Sequence, residues 1–256
     1  MQHGVIGRTL VELASVDSTN NYAAERIALP ELPHGTVILA HEQTAGVGQR
    51  GRTWSSARGL DLTFSIVLRP TDLEATDQFV LAKVAAMAVR DVVEEVLRSA
   101  AGLGGGAVRV KWPNDVLVGQ RKIAGVLIQN ELLGGKVQSA IVGIGLNVNS
   151  TELNIGHNAT SLRLESGLAQ DRMEVLARLC ELFEHWWDQR SVGRAELDQR
   201  YADLLWARGV ATDFELEGKP FTGIPQDVDS DGRLRVEGPD GKVKAYGLDR
   251  LRFAPR

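Results

Sequence analysis

Between residues 41 and 59 the chain reads HEQTAGVGQRGRTWSSARG, from His41 through Gly46-Val47-Gly48-Gln49-Arg50-Gly51 to Trp54 and Gly59. On either side stand β-branched, apolar runs that read as strands, TVILA (Thr36 to Ala40) and LTFSIVL (Leu62 to Leu68). Gly46 to Gly51 satisfies G-x-G-x-x-G to the letter, which raises a dinucleotide fold first. That fingerprint works by opening a helix whose N-terminus holds the pyrophosphate. Here the loop runs through Trp54-Ser55-Ser56 into another strand, so the doubly wound reading fails. A phosphate-binding P-loop fails for the same reason, and Arg52-Thr53 stands where Lys-Ser/Thr is required. What remains is a long loop whose glycines permit close backbone approach and whose Arg50, Arg52 and Arg58 offer forked donors to an anion. A solvated hairpin with no function is the competing reading.

Outward from this loop, the segment from Asp17, DSTNNYAAERIA, offers cap-forming residues followed by helix formers, closed off by Pro30 and Pro33. Residues Asp77 to Arg98 place Val80, Val84, Met87, Ala88 and Val92 at helical period, and AAGLGGGA after them reads as a flexible connection. VRVKW, DVLV, KIAGVLIQNEL and AIVGIGLNVN then read as strands, with Gly119-Gln120 making a hairpin-like turn. Helical periodicity resumes from Asp171 to about Trp206, and beyond Gly209 short strands alternate with turn signals at Asp231-Gly232 and Pro239-Asp240-Gly241. Strands in near-continuous order, with helices before and after, predict an α+β domain built on a mixed or antiparallel sheet. A boundary near Arg208 separates it from a small β-barrel.

The chain of 256 residues is 43% apolar and 24% charged, which excludes disorder and fibrous classes. No apolar run nears the roughly 20 residues of a membrane span and no signal peptide opens the chain, so a cytoplasmic protein is expected. A net charge of −4 argues against nucleic acid as the main partner. The single cysteine, Cys180, permits no internal disulfide and no thiolate zinc cluster; with Leu176, Leu179, Phe183 and Trp187 at helical spacing it reads as a small hydrophobe.

Five separated segments now line up with one family. Asp17-Ser18-Thr19-Asn20, Glu42-Gln43-Thr44-Ala45-Gly46 leading into Arg50-Gly51-Arg52-Thr53-Trp54, Lys111-Trp112-Pro113-Asn114-Asp115, Arg121-Lys122-Ile123-Ala124-Gly125 and Gly143-Ile144-Gly145-Leu146-Asn147 together resemble the biotin protein ligases in order and spacing. The resemblance implies a catalytic domain of the class II aminoacyl-tRNA synthetase/biotin ligase-like kind over residues 1–208 and an SH3-like β-barrel over 209–256. It implies ATP-dependent activation of biotin to biotinyl-5′-AMP with release of pyrophosphate, then transfer to a lysine of a biotin carboxyl carrier domain.

The same resemblance carries roles onto residues. Ser18, Thr19, Asn20 and Gln43 are expected around the ureido ring, with Gly46, Val47, Gly48, Gln49, Lys122 and Gly125 completing the biotin pocket. Short hydroxyls and amides suit a compact polar group, although Ser18 and Thr19 also suit helix capping. Lys122 is expected against the biotin carboxylate and the α-phosphate, with Arg50 and Arg52 adding charge from the loop and Trp54 ordering it over the adenylate. Lys111, Asn114 and Asn147 are expected on the ATP side, with Mg²⁺ entering on the nucleotide near Asn114, and Asp115 as the group that orients the acceptor lysine or takes its proton. Gly143 and Gly145 are expected to leave room for the base.

Two departures from the family pattern follow. Val47 and Gln49 occupy loop positions that are often basic, which predicts weaker retention of the adenylate. Seventeen residues precede Ser18, too few for a winged helix-turn-helix, so a monofunctional ligase without operator binding is expected, and the resemblance implies a homodimer. Lipoate or octanoate transfer is the nearest alternative, opposed by the Arg50 to Trp54 run and the tail; a nucleic-acid-binding module is the more distant one.

Overall fold

The computed structural model describes residues 4–27, 32–101, 108–153 and 158–254. Pro30 and the glycine-rich connection at 102–107, both singled out in the sequence, lie outside the described residues. Seven strands form the main sheet: β1 (Leu10–Leu13), β2 (Val37–Ala40), β3 (Leu62–Leu68), β4 (Val108–Lys111), β5 (Asp115–Val118), β6 (Arg121–Leu133) and β7 (Lys136–Leu146), in the order β1-β2-β3-β7-β6-β5-β4. Every pairing is antiparallel except β1 with β2, so the sheet is mixed, as expected. Strand β1, which the sequence reading passed over, is a parallel edge of only four residues whose burial alternates between exposed and intermediate.

The two faces of this sheet have different tasks. In β3 every residue is buried, because both faces are covered. Leu62, Phe64, Ile66 and Leu68 enter the main core beneath α2 (Val80–Ala101) and α4 (Arg172–Val192). Alternation puts Thr63, Ser65 and Val67 on the opposite face, where α1 (Thr19–Arg26) lies and where Ala23, Ile38, Val67 and Ile141 form a smaller core. Ser65 pairs with Gly143, and Gly145 with both Thr63 and Gly125, so this second face carries a patch of residues with little or no side chain beside α1.

The long C-terminal helical stretch divides at Gly193 into α4 and α5 (Arg194–Asp203), after α3 (Leu162–Ser166). Five further strands, β8 (Thr212–Leu216), β9 (Lys219–Val228), β10 (Leu234–Glu237), β11 (Val243–Tyr246) and β12 (Leu251–Phe253), make a separate antiparallel sheet in the order β11-β10-β9-β8-β12. This sheet is tied to the first. Trp112 Nε1, fully buried, donates to the Gly232 carbonyl at 2.9 Å, and the buried Lys83 ammonium donates to the Val228 carbonyl at the end of β9 at 3.4 Å. Among the described residues no helix is long and apolar enough to cross a membrane.

Candidate active site

Loop 46–54 is a narrow hairpin. Trp54 N donates to the Gly46 carbonyl at 2.9 Å, Gly48 N to the Arg52 carbonyl at 2.6 Å, and Val47 bridges Thr53. A Cβ on Gly46 would lie 2.4 Å from the Trp54 carbonyl oxygen, so the close approach of the two arms requires glycine there. The tip is a short 3-10 turn, Gln49–Gly51, with Arg50 held at φ 58° and ψ 40°. That left-handed conformation costs a non-glycine residue about 1 to 3 kcal/mol. Arg50 and Arg52 are exposed and form no ion pair among the described residues; Arg58 reaches Glu42 at 3.9 Å. The loop therefore presents two uncommitted guanidinium groups to solvent.

Trp54 turns the other way, onto the glycine face of the sheet. A Cβ on Gly145 would lie 2.2 Å from Trp54 Cε2, and one on Gly125 would lie 3.1 Å from its Cζ3. The room that these glycines leave is thus filled by an indole, and the room at Gly143 by the Asn20 carboxamide, whose Oδ1 would be 2.2 Å from a Cβ there. The space expected for a base at Gly143 and Gly145 is therefore taken by the Asn20 and Trp54 side chains. Trp54 Nε1 is buried without a hydrogen-bond partner.

At one end of this floor sits a polar cluster. Thr19 N donates to Gln43 Oε1 at 2.8 Å, Ser65 Oγ lies 2.7 Å from both Thr19 Oγ1 and Asn20 Oδ1, and Asn20 Nδ2 donates to the Leu127 carbonyl at 3.3 Å. Ser18 holds the N-cap position of α1, but its side chain makes no capping bond. Capping therefore does not account for this buried hydroxyl. Ser65 and Gln129, whose Oε1 lies 3.4 Å from Asn20 Nδ2, were missed in the sequence. The available signal for Ser65 was a small polar residue interrupting an otherwise strand-forming apolar run.

At the other end Lys122 Nζ stands 2.6 Å from Asp115 Oδ1 and 5.5 Å from the centre of the Trp54 ring. The contact with Asp115 lacks hydrogen-bond alignment, so it is an ion pair. Lys122 is positioned through its backbone: its N–H donates to the Asn158 carbonyl, and its carbonyl accepts from Thr160 N, both at 2.8 Å.

Three residues expected on the nucleotide side are engaged elsewhere. Asn114 Nδ2 donates to the Val126 carbonyl at 2.9 Å, fastening the turn that leads into Asp115 onto β6. Asn147 lies just beyond the end of β7, and its Nδ2 donates to the Thr160 carbonyl at 2.9 Å. The Lys111 ammonium lies 5.2 Å from the Trp206 ring and 5.1 Å from that of Phe253, against the second sheet. The loop after β7 depends on Asp61, a buried carboxylate that accepts from Val148 N at 2.8 Å and Ser150 Oγ at 2.5 Å. Among the described residues no group of three or more His, Cys, Asp or Glu side chains could hold a metal ion.

A separate cavity of about 560 Å³, on the far side of the sheet, is lined by Ile6, Val37, Leu176 and Cys180. Burial, reinforced by Glu184 and Glu181, pushes the Cys180 thiol up to about 12, so it carries no nucleophilic chemistry near neutral pH.

Residues 12–147 match the model of the biotin/lipoate A/B protein ligase family, and residues 209–247 match that of the biotin protein ligase C-terminal domain. The bifunctional ligase/repressor BirA of Bacillus subtilis is 34% identical over 257 residues, covering 96% of this chain and 74% of that protein. The biotin–[acetyl-CoA-carboxylase] ligase of Paracoccus denitrificans is 33% identical over 237 residues, covering 90% of this chain and 95% of that one. The solved biotin protein ligase of Aquifex aeolicus in complex with biotin and ATP superposes with a TM-score of 0.74 at 28% identity, covering 96% of this chain and 100% of that one.

Proposed function

The chain belongs to the biotin/lipoate A/B protein ligase family, and from that premise we propose that it is an ATP-dependent biotin protein ligase. The biotin carboxylate attacks the α-phosphate of ATP, pyrophosphate leaves, and biotinyl-5′-AMP is formed. The amine of a carrier lysine then attacks the acyl carbon, AMP leaves, and an amide remains. The acceptor is a carrier domain of a biotin-dependent carboxylase, the substrate class named for the Paracoccus ligase.

The observation that carries this reading is the division of the glycine floor. Ser18, Thr19 and Gln43 cluster at one end, and the Lys122–Asp115 pair stands at the other. A ligand with a polar head, an apolar stem and a carboxylate matches that sequence of environments. In this reading the ureido ring meets Ser18, Thr19, Asn20 and Gln43, the stem crosses Gly125 and the loop from Gly46 to Gln49, and Lys122 meets the carboxylate and the α-phosphate. Arg50 and Arg52 swing in from solvent to add charge on the phosphate, and Trp54 moves to cover the adenylate. Asp115, three residues from the C-terminal sheet's partner Trp112, takes the proton of the acceptor amine. Lys111, Asn114 and Asn147 act on the nucleotide side by shaping the wall, since their side chains already hold neighbouring groups. Residues 1–208 form the catalytic domain and 209–256 an SH3-like domain.

The test is incubation with ATP, Mg²⁺, biotin and a carrier domain, followed by intact-mass measurement. The carrier gains the mass of one biotinyl group; an unchanged carrier defeats the reading. Pyrophosphate exchange into ATP that depends on lipoate or octanoate instead of biotin would establish the alternative.

A further inference from the structure

The polar end of the floor has a definite donor and acceptor pattern, anchored on backbone at both ends. Asn20 Nδ2 lies 3.3 Å from the Leu127 carbonyl oxygen, which can only accept, so the carboxamide is oriented with Oδ1 toward Ser65. Ser65 Oγ is 2.7 Å from that Oδ1 and 2.7 Å from Thr19 Oγ1. A hydroxyl carries one proton. Asn20 Oδ1 has none, so the Ser65 proton goes to it, and the Thr19–Ser65 contact must then be made by the proton of Thr19. At the opposite end the Thr19 backbone N–H donates to Gln43 Oε1 at 2.8 Å, which fixes that amide with Nε2 turned away from Thr19. Gln43 Nε2 donates to no group among the described residues, and the residue is half-buried. The longer separation of 3.1 Å from Thr19 Oγ1 to Gln43 Oε1 carries no proton in this arrangement.

We propose that Ser65 is a positioning residue that sets the headgroup specificity of this site. By taking the Thr19 proton and passing its own to Asn20, Ser65 leaves Thr19 Oγ1 with only lone pairs for a ligand, one amide width from the N–H donors of Gln43, whose Nε2 is turned toward Gly46. An acceptor next to a donor selects a headgroup with an N–H next to a C=O. A cyclic urea has that pattern, whereas a dithiolane or a methyl terminus has neither group. Gly143, the register partner of Ser65, supplies the space that lets Asn20 close the chain. This inference rests on the biotin reading and deepens it, since Ser65 itself is fully buried and acts through Thr19 and Asn20.

The experiment compares the full-length protein with Ser65→Ala, a deletion of one oxygen, and titrates each calorimetrically with biotin and with the two mono-N-methyl biotins. The dissociation constant for biotin rises about tenfold or more in Ser65→Ala. The kcat of biotin-dependent pyrophosphate exchange at saturating biotin stays within about twofold, because Ser65 is remote from Lys122. In the wild type, methylation of the nitrogen that faces Thr19 weakens binding. In Ser65→Ala that penalty shrinks, because Thr19 is no longer a committed acceptor; a merely structural role for Ser65 leaves the penalty unchanged. Biotin binding by Ser65→Ala within twofold of wild type, or an equal N-methyl penalty in both proteins, overturns the role of Ser65 and leaves the ligase reading intact. Failure of the wild type to bind biotin overturns both.

Discussion

Lys122 and Asp115 meet across the Gly119-Gln120 turn, ammonium to carboxylate at 2.6 Å, and each remains partly open to solvent. In the proposed reaction this pair links the two half-reactions, with Lys122 assigned to anion activation and Asp115 to amine attack. Lys122→Ala should lower biotin-dependent pyrophosphate exchange by about 100-fold or more, the scale of removing a preorganised transition-state contact. Asp115→Asn should leave exchange largely intact and slow carrier biotinylation by about 100-fold, as expected for a lost proton acceptor. Rapid-quench assays of the separate steps decide this; equal losses in both steps for Asp115→Asn would remove the division of labour.

The indole of Trp54 and the bare face of Gly145 occupy one space. Alanine at 145 would place its Cβ 2.2 Å from Cε2, so the ring must leave the floor. Gly145→Ala is expected to raise acrylamide quenching of tryptophan emission in the unliganded protein. The increase should vanish in a Trp54→Phe background, which separates Trp54 from the other tryptophans. An unaltered quenching constant would show that the ring does not rest there.

Val47 and Gln49 flank two exposed guanidinium groups without adding charge of their own. Exposed charge interactions are worth up to about 1 kcal/mol, so Gln49→Arg should slow release of biotinyl-5′-AMP roughly twofold to fivefold. Chasing labelled intermediate from wild type and variant measures this. The effect should shrink in high salt, and an identical off-rate at low salt would show that the position carries no retention.

His34 accepts from Arg69 N at 2.9 Å through Nδ1 and packs against Trp187. Burial, then the nearby Arg190 guanidinium, lowers its pKa below the ordinary histidine value. The unfolded chain therefore binds more protons just below about pH 6.5, and stability rises with pH through that window. The His34 contribution is present above pH 6.5 and lost as pH falls through the lowered folded value. Melting temperature should drop between pH 7 and pH 5, with a shallower slope in His34→Gln; parallel slopes would assign the loss to other groups.

The strand pair around the glycine loop, the long helix and the β5–β6 hairpin were legible in the sequence because each is a local pattern. LTFSIVL matches β3 residue for residue, since a seven-residue run of strand formers leaves no other reading. Strand β1 was not legible. Four residues at a parallel edge gain their structure from β2, not from their own periodicity. Lys122, Asp115, Thr19, Asn20 and Gln43 were identified from motifs, and the fold brings them to the two ends of one floor. Asn114, Asn147 and Lys111 were identified too, but which hydrogen bonds and ring contacts engage their side chains depends on strands distant in the chain.

The amino-acid sequence by itself determined most of the elements, the family and the residue types available for chemistry, because these follow from side-chain period, turn chemistry and motif spacing. Only the tertiary structure decided how those residues are polarised and what fills the space between them. Ser65 reaches Thr19 and Asn20 across 46 and 45 residues of chain, and Trp54 finds Gly145 only after β3, β6 and β7 have paired. The direction of a proton and the occupant of a missing side chain are properties of neighbours in space, which pairing register sets and local sequence does not.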